Sequence, residues 1–125
     1  MKIVAAILLT AVAFGASAET KLYTENSRPG ETMDEFIVRI APRALRFTER
    51  SSFEVCGPIV KTDTGYSLTL YTSSNMTRCQ YPKTSDIGFH THPSRAYPTF
   101  YGGDYHVEGY MAHQKVINLK TVRPA

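Results

Sequence analysis

The sequence predicts an α+β fold in a single small domain. Its 125 residues allow one domain, and 42% apolar with 20% charged residues is a globular composition. One amphipathic helical pattern comes first, several runs of strand type follow, and the start of a second helix comes after them. Helices separated from a block of strands in this way indicate α+β architecture, with a sheet flanked by helices.

Residues 1–18 have the pattern of a secretory signal peptide. Lys2 gives a positive start, residues 3–14 are apolar apart from Thr10, and small residues occupy 16–18. The apolar run is about 12 residues, whereas a membrane-spanning helix needs about 20. We expect cleavage after Ala18, no membrane span in the mature chain, and a periplasmic or secreted location.

Cys56 and Cys79 are the only cysteines, and both follow the leader. In an oxidising compartment an isolated pair is more often a disulfide than two free thiols. The sequence therefore predicts one disulfide, contributing about 3 kcal/mol through loop closure.

The mature chain is predicted to begin with an exposed arm, residues 19–31, followed by one domain over 32–125. Thr32 and Glu35 form a capping-box pattern that opens a helix. Apolar residues then recur at helical spacing, which predicts one core-facing stripe: Met33, Phe36, Ile37, Ile40, Ala41, Ala44 and Leu45. Pro42 is expected to kink or shorten this helix.

The strands are predicted from short apolar or alternating runs bounded by turn residues. They cover 53–61, 66–71, 87–92 and 116–122, the last as an edge strand. Residues 62–65 form the turn between the first two strands, and Pro93 ends the third. Gly102–Asp104 has the pattern of an entry to a short second helix.

His90 and His92 flank one residue of a predicted strand, so their side chains project to the same side. Asp104 follows 12 residues after His92, across a loop long enough to fold back. Two imidazoles and one carboxylate with an open fourth position are the ligand set of catalytic zinc. The alternative is a pair of surface histidines before a proline.

Glu54 is a charged residue within an otherwise apolar segment. A buried carboxylate requires a partner, and beside zinc-bound water it can serve as general acid/base. The alternative is an edge strand with Glu54 facing solvent.

These residues together resemble the JAMM (JAB1/MPN/Mov34) metalloprotease motif. The similarity rests on Glu54-x-Cys56-Gly57, then His90-Thr91-His92-Pro93, then Asp104, and extends from about Thr32 to Met111. It implies a JAMM/MPN-like domain that binds Zn²⁺ through His90, His92 and Asp104. It also implies that Glu54 is the general acid/base.

Two features depart from the family pattern, and one of them is the loop between Pro93 and Tyr101, which is one residue longer than the commonest spacing in the family. The serine that stands three residues before the aspartate in the family is Tyr101 here. A tyrosine hydroxyl can donate a hydrogen bond to an oxyanion, so Tyr101 is the candidate replacement. Ser94 and Thr99 offer other hydroxyls nearby.

The remaining conspicuous side chains are aromatic residues and histidines around the motif. His106 and His113 keep no ligand spacing with it and are interpreted as solvated. The aromatic residues fit a substrate-binding rim and a small core equally well: Tyr97, Phe100, Tyr101, Tyr105 and Tyr110.

The sequence leaves two functions open. The first is an exported zinc-dependent hydrolase of amide or isopeptide bonds, with a cell-wall peptide or an exported protein as substrate. The second is a JAMM-like binding module that recognises an envelope or secreted partner. A net charge of +3 without a basic run gives no support for nucleic-acid binding.

Overall fold

The computed structural model describes residues 19–93, 108–113 and 116–121. This part contains one helix and six strands: α1 (Met33–Ser51), β1 (Thr20–Asn26), β2 (Cys56–Thr62), β3 (Gly65–Thr72), β4 (Ile87–His92), β5 (Glu108–His113) and β6 (Val116–Thr121). The strands form one sheet in the order β1-β3-β2-β4-β5-β6. Only β4 and β5 pair in parallel; the other neighbours are antiparallel. The predicted α+β fold is confirmed, and the sheet is mixed.

Helix α1 begins where the capping pattern predicts. The Glu35 amide donates to the Thr32 hydroxyl at 3.1 Å, and that hydroxyl donates to the Glu35 carboxylate at 3.0 Å. The carboxylate therefore bonds to the capping hydroxyl rather than to a backbone amide. Ser52 ends the helix in the left-handed region (φ 62°), with its amide donating to the Thr48 carbonyl.

The predicted apolar stripe is confirmed as the helix side of the core. Six of its members are buried and Met33 is partly buried: Phe36, Ile37, Ile40, Ala41, Ala44 and Leu45. Of the two predicted effects of Pro42, a kink or a shorter helix, the shortening is wrong, because α1 continues to Ser51. Proline removes one ladder bond, which leaves the carbonyl of Val38 without its helical donor. Val38 is 58% exposed, so water can solvate that carbonyl.

The segment predicted as an exposed arm contains a strand. Residues 20–26 form β1 at the edge of the sheet and pair with β3. The pairing register shifts between Lys21 and Tyr23, so Leu22 is an extra residue on this strand. Such a bulge interrupts the alternation of side chains, and the sequence therefore lacks the pattern that identifies a strand.

The predicted hairpin is confirmed, since Thr62 pairs with Gly65 across the turn between β2 and β3. Strand β2 begins at Cys56, three residues later than predicted. The preceding backbone makes other hydrogen bonds. The Glu54 amide donates to the Asn75 carbonyl, and the Val55 amide donates to the Thr91 hydroxyl.

Strand β5 was not predicted. The expected helix entry at 102–104 lies outside the described residues, but Tyr110 belongs to β5 and not to a helix. Its register opposes Gly109 to Gly88 of β4, where a Cβ on Gly109 would lie 1.8 Å from the Gly88 carbonyl oxygen. Glycine permits this close approach. Strand β6 confirms the predicted final edge strand.

The predicted disulfide is confirmed between Cys56 of β2 and Cys79 of the polar segment after β3. It ties residues 73–86 to the middle of the sheet. Within the described residues, no helix is long and apolar enough to cross a membrane. Residues 1–18, predicted as the leader, lie outside the described part.

Candidate metal centre

Thr91 fixes the orientation of strand β4. Its hydroxyl lies 2.5 Å from the hydroxyl of Thr48 on α1, and both residues are fully buried. Thr91 therefore points to the helix side of the sheet. Because strand residues alternate, His90 and His92 project from the other side, as the sequence predicts.

The two histidines meet on that side. Their Nε2 atoms are 3.0 Å apart, and their ring centroids are 4.8 Å apart. His92 is fully buried, whereas His90 is partly exposed. At this separation one ring N–H can donate to the other nitrogen, or both lone pairs can bind one cation.

Glu54 is held beside this pair by its backbone. Its amide donates to the Asn75 carbonyl at 2.8 Å, and its carbonyl accepts from the Thr72 hydroxyl at 2.9 Å. The next residue, Val55, exchanges two hydrogen bonds with Thr91, both at 2.9 Å. These bonds place Glu54 next to the end of β4.

The Glu54 carboxylate reaches the buried histidine. Its Oε1 atom lies 3.5 Å from Nε2 of His92, and Glu54 is only 4% exposed. The alternative in which Glu54 faces solvent is wrong. Glu54 lies before β2 rather than within it, but its burial agrees with the prediction.

The disulfide lies next to the same cluster. Cys56 pairs with His90 across the β2–β4 ladder, so the two side chains share one face of the sheet. The bridge to Cys79 consequently holds the polar segment after β3 on the histidine side of the sheet.

Several predicted site residues lie outside the described part of the chain. These are Asp104, Tyr101, Ser94 and Thr99, together with Tyr97, Phe100, Tyr105 and His106. Within residues 19–93, 108–113 and 116–121, no group of three or more His, Cys, Asp or Glu side chains has a metal-binding arrangement. The structure thus brings together His90, His92 and Glu54 and does not describe a third ligand.

Tyr110 has a defined contact that does not belong to this site. Its hydroxyl donates to the Asp34 carboxylate in the first turn of α1, and Tyr110 is 4% exposed. Burial raises the pKa of Tyr110, and the hydrogen bond to Asp34 raises it further. Tyr110 therefore belongs to the core, which agrees with the second of the two interpretations given for the aromatic residues.

The backbone pairing of β4 with β5 places His113 opposite His92.

Thr48, which orients the site through its contact with Thr91, is not among the predicted site residues. Thr48 occupies the next position of the apolar stripe, three residues after Leu45, and is fully buried. A hydroxyl at a core position of a helix indicates a buried partner. That signal was present in the sequence, but the partner, Thr91, emerges only from the fold.

No protein-family model, no curated protein and no solved structure matches this chain.

Proposed function

We propose that this protein is an exported zinc-dependent hydrolase of amide or isopeptide bonds, with a JAMM-like arrangement of site residues. The observation that carries the proposal is the convergence of His90 with the buried side chains of His92 and Glu54. Each reaches the site from a backbone fixed by the fold rather than from a free loop.

The donor set fits zinc. Ligand atoms at about 2.1 Å from one tetrahedral ion lie about 3.4 Å from each other. The observed 3.0 Å between His90 Nε2 and His92 Nε2 is close to that spacing. Asp104 is the proposed third ligand, from the sequence motif. Bound zinc would polarise the scissile carbonyl and lower the pKa of a coordinated water.

Glu54 is the proposed general acid/base. Its carboxylate is nearly excluded from solvent and its backbone is anchored at both the amide and the carbonyl. A base with fixed position can take a proton from the attacking water and return it to the leaving amine. Tyr101 is the proposed donor to the developing oxyanion.

The proposed substrate is a peptide or protein outside the cytoplasm. The disulfide between Cys56 and Cys79 is of the kind that persists in oxidising compartments. Together with the leader pattern, it supports a periplasmic or secreted location. A cell-wall peptide or an exported protein is the substrate class consistent with that location.

A second candidate function is a binding module with the same domain, recognising an envelope or secreted partner. Tyr101 favours it, because the family serine is absent at that position. The two functions differ in the role of Glu54, which a binding module does not need as a base.

The test uses Glu54→Gln, since the amide fills the same space but cannot accept the proton. Peptide libraries and cell-wall digests are incubated with zinc-loaded protein, and cleavage is followed by mass spectrometry. We expect cleavage by the parent chain and by Glu49→Gln, an exposed helix position, but not by Glu54→Gln. Cleavage by Glu54→Gln at the parent rate would overturn the proposed role. Absence of cleavage by the parent chain would favour the binding module.

A further inference from the structure

A second concave feature lies on the helix side of the sheet, away from the histidines. It is an open groove between α1 and β1 with a volume of about 530 Å³, which is in the range of small-molecule sites. Its lining combines three cations of α1, three apolar or aromatic side chains and one serine: Arg43, Arg46, Arg50, Leu22, Tyr23, Phe47 and Ser51. We call it the arginine groove. None of these residues belongs to the candidate metal centre.

The β-bulge of β1 builds one wall of the arginine groove. Lys21 pairs with Tyr71 and Tyr23 pairs with Leu70, which leaves Leu22 as the extra residue. Consecutive strand residues normally project to opposite faces, yet Leu22 and Tyr23 both line the groove. A bulge that redirects a side chain is a feature often found beside functional sites.

The arginine groove carries more positive charge than the neighbouring residues neutralise. Arg43 is paired with Glu25 at 3.3 Å. Within the described residues, Arg46 and Arg50 form no ion pair, and their i, i+4 spacing places like charges side by side. The helix dipole stabilises the positive charge of Arg50, which lies in the last turn, but it does not stabilise that of Arg46, which lies before the last turn. Two adjacent positive charges can neutralise the two negative charges of one dianion.

Tyr23 lines the groove with its ring rather than with its hydroxyl. Its hydroxyl is buried and has no hydrogen-bond partner in the part of the chain that the structure describes. The Arg43 guanidinium lies 3.9 Å from its ring centre. Burial raises the pKa of Tyr23, although Arg43 and Arg46 act in the opposite direction, so the hydroxyl remains protonated at neutral pH. Because that hydroxyl is inaccessible to solvent, a ligand in the groove contacts the Tyr23 ring and not its oxygen.

We propose that the arginine groove binds a soluble phosphate monoester whose organic part is small, flat and apolar. The dianionic phosphate pairs with Arg46 and Arg50, and the organic part lies on the aromatic wall of Tyr23 and Phe47. Guanidinium groups bind phosphate oxygens in paired, charge-assisted hydrogen bonds, which suits this assignment.

A membrane surface fits this groove less well than a soluble ligand. Leu22, Tyr23 and Phe47 are only partly exposed and pack against the core, so they do not project as a membrane anchor would. In the described part of the chain, the large exposed apolar side chains are Val38 and Met76. Neither lines the groove.

The test titrates phenyl phosphate into the ¹⁵N-labelled protein and follows its amide signals. We expect saturable shifts at Leu22, Tyr23 and Phe47. Arg46→Gln/Arg50→Gln should weaken binding by at least about tenfold, the loss expected of charge-assisted hydrogen bonds. The control Arg78→Gln/Lys83→Gln removes the same charge from exposed positions and should bind as the parent does. Absence of shifts at the groove, or equal weakening in both double variants, overturns the proposal.

Two further arms separate a ligand role from a structural role and from membrane binding. Tyr23→Leu should weaken phenyl phosphate binding, because it removes the aromatic ring from the groove, whereas Tyr23→Phe keeps the ring and should bind as the parent does. Unchanged binding by Tyr23→Leu would contradict the assigned aromatic wall. Vesicles of phosphatidylcholine with phosphatidic acid should not compete for the groove. Binding to these vesicles without binding of phenyl phosphate overturns the proposal in favour of a lipid surface.

Discussion

The hydroxyls of Thr91 and Thr48 meet at 2.5 Å in the core, and this contact ties the last turn of α1 to the residue between the two histidines. The same Thr91 hydroxyl accepts from the Val55 amide, one residue after Glu54. A single buried hydroxyl therefore connects the helix, the histidine strand and the segment that carries the carboxylate. Hydrogen bonds in the core, on the helix side of the sheet, therefore orient the candidate site on the other side.

Thr91→Val should destabilise the fold even though it preserves the side-chain shape. The substitution leaves the Thr48 hydroxyl and the Val55 amide without their partner in the core. We expect a loss of about 1–3 kcal/mol in the free energy of unfolding, measured by urea denaturation. Thr24→Val is the matched control, because Thr24 bonds to Thr69 at an exposed position. A similar loss of unfolding free energy in both variants would show that the buried contact stabilises the fold no more than the exposed one does.

Reduction of the disulfide should weaken the histidine side of the sheet. Cys56 pairs with His90, and the bridge closes a loop with a sequence separation of 23 residues. The double variant Cys56→Ala/Cys79→Ala should lose about 3 kcal/mol of stability through greater freedom of the unfolded chain. Urea denaturation under oxidising conditions measures this loss. Free-thiol labelling of the denatured, unreduced parent protein should find no thiol.

Glu31 should make stability depend on pH in acid. Arg39 donates to both Glu31 carboxylate oxygens, at 2.7 and 2.9 Å. These hydrogen bonds lower the pKa of Glu31 from 4.5 to about 2, and the Arg28 amide contributes further. A folded-state pKa below the unfolded value gives stability that is present above pH 4.5 and is lost as the pH falls toward 2. Glu31→Gln should therefore be less stable than the parent at pH 7.

The comparison of these two proteins across the acid range tests the assignment. The difference in thermal midpoint between the parent and Glu31→Gln should shrink as the pH falls from 4.5 to 2. Glu49→Gln, at an exposed position that forms no ion pair with an arginine of the described residues, controls for the general loss of a negative charge. A difference that is constant with pH would assign the effect of Glu31 to packing rather than to ionisation.

The helix and its buried face were predictable because local signals agree there. Thr32 gives the cap, and the apolar spacing from Phe36 to Leu45 gives the face. The disulfide followed from the presence of only two cysteines. The same-side projection of His90 and His92 followed from strand alternation alone. Each of these predictions rests on residues near one another in sequence or on simple counting.

The predictions that were wrong depend on partners remote in sequence. Strand β1 is paired with β3, and its bulge at Leu22 removes the alternation that would identify it. Strand β5 is an apolar run whose strand state comes from parallel pairing with β4. Glu54 lies outside β2 because its backbone bonds to Asn75 and Thr72. No local pattern encodes these contacts.

The central claim is that His90 and His92 bind zinc while Glu54 does not. The most direct measurement is the zinc content of purified protein by mass spectrometry after dialysis against buffered zinc. We expect one zinc per chain in the parent protein and in Glu54→Gln, and a loss of bound zinc in His90→Ala and His92→Ala. His90 is partly exposed, so its variant keeps the test valid if removal of the buried His92 ring destabilises the fold.

His106→Ala is the control, because that histidine keeps no ligand spacing with the motif. Far-ultraviolet circular dichroism verifies that each variant is folded. We expect His90→Ala to be folded and to bind zinc at least about tenfold more weakly than the parent, because removal of a ligand costs at least as much as removal of a residue that only supports a ligand. Zinc bound equally by the parent, His90→Ala and His92→Ala would contradict the central claim, as would loss of zinc from Glu54→Gln.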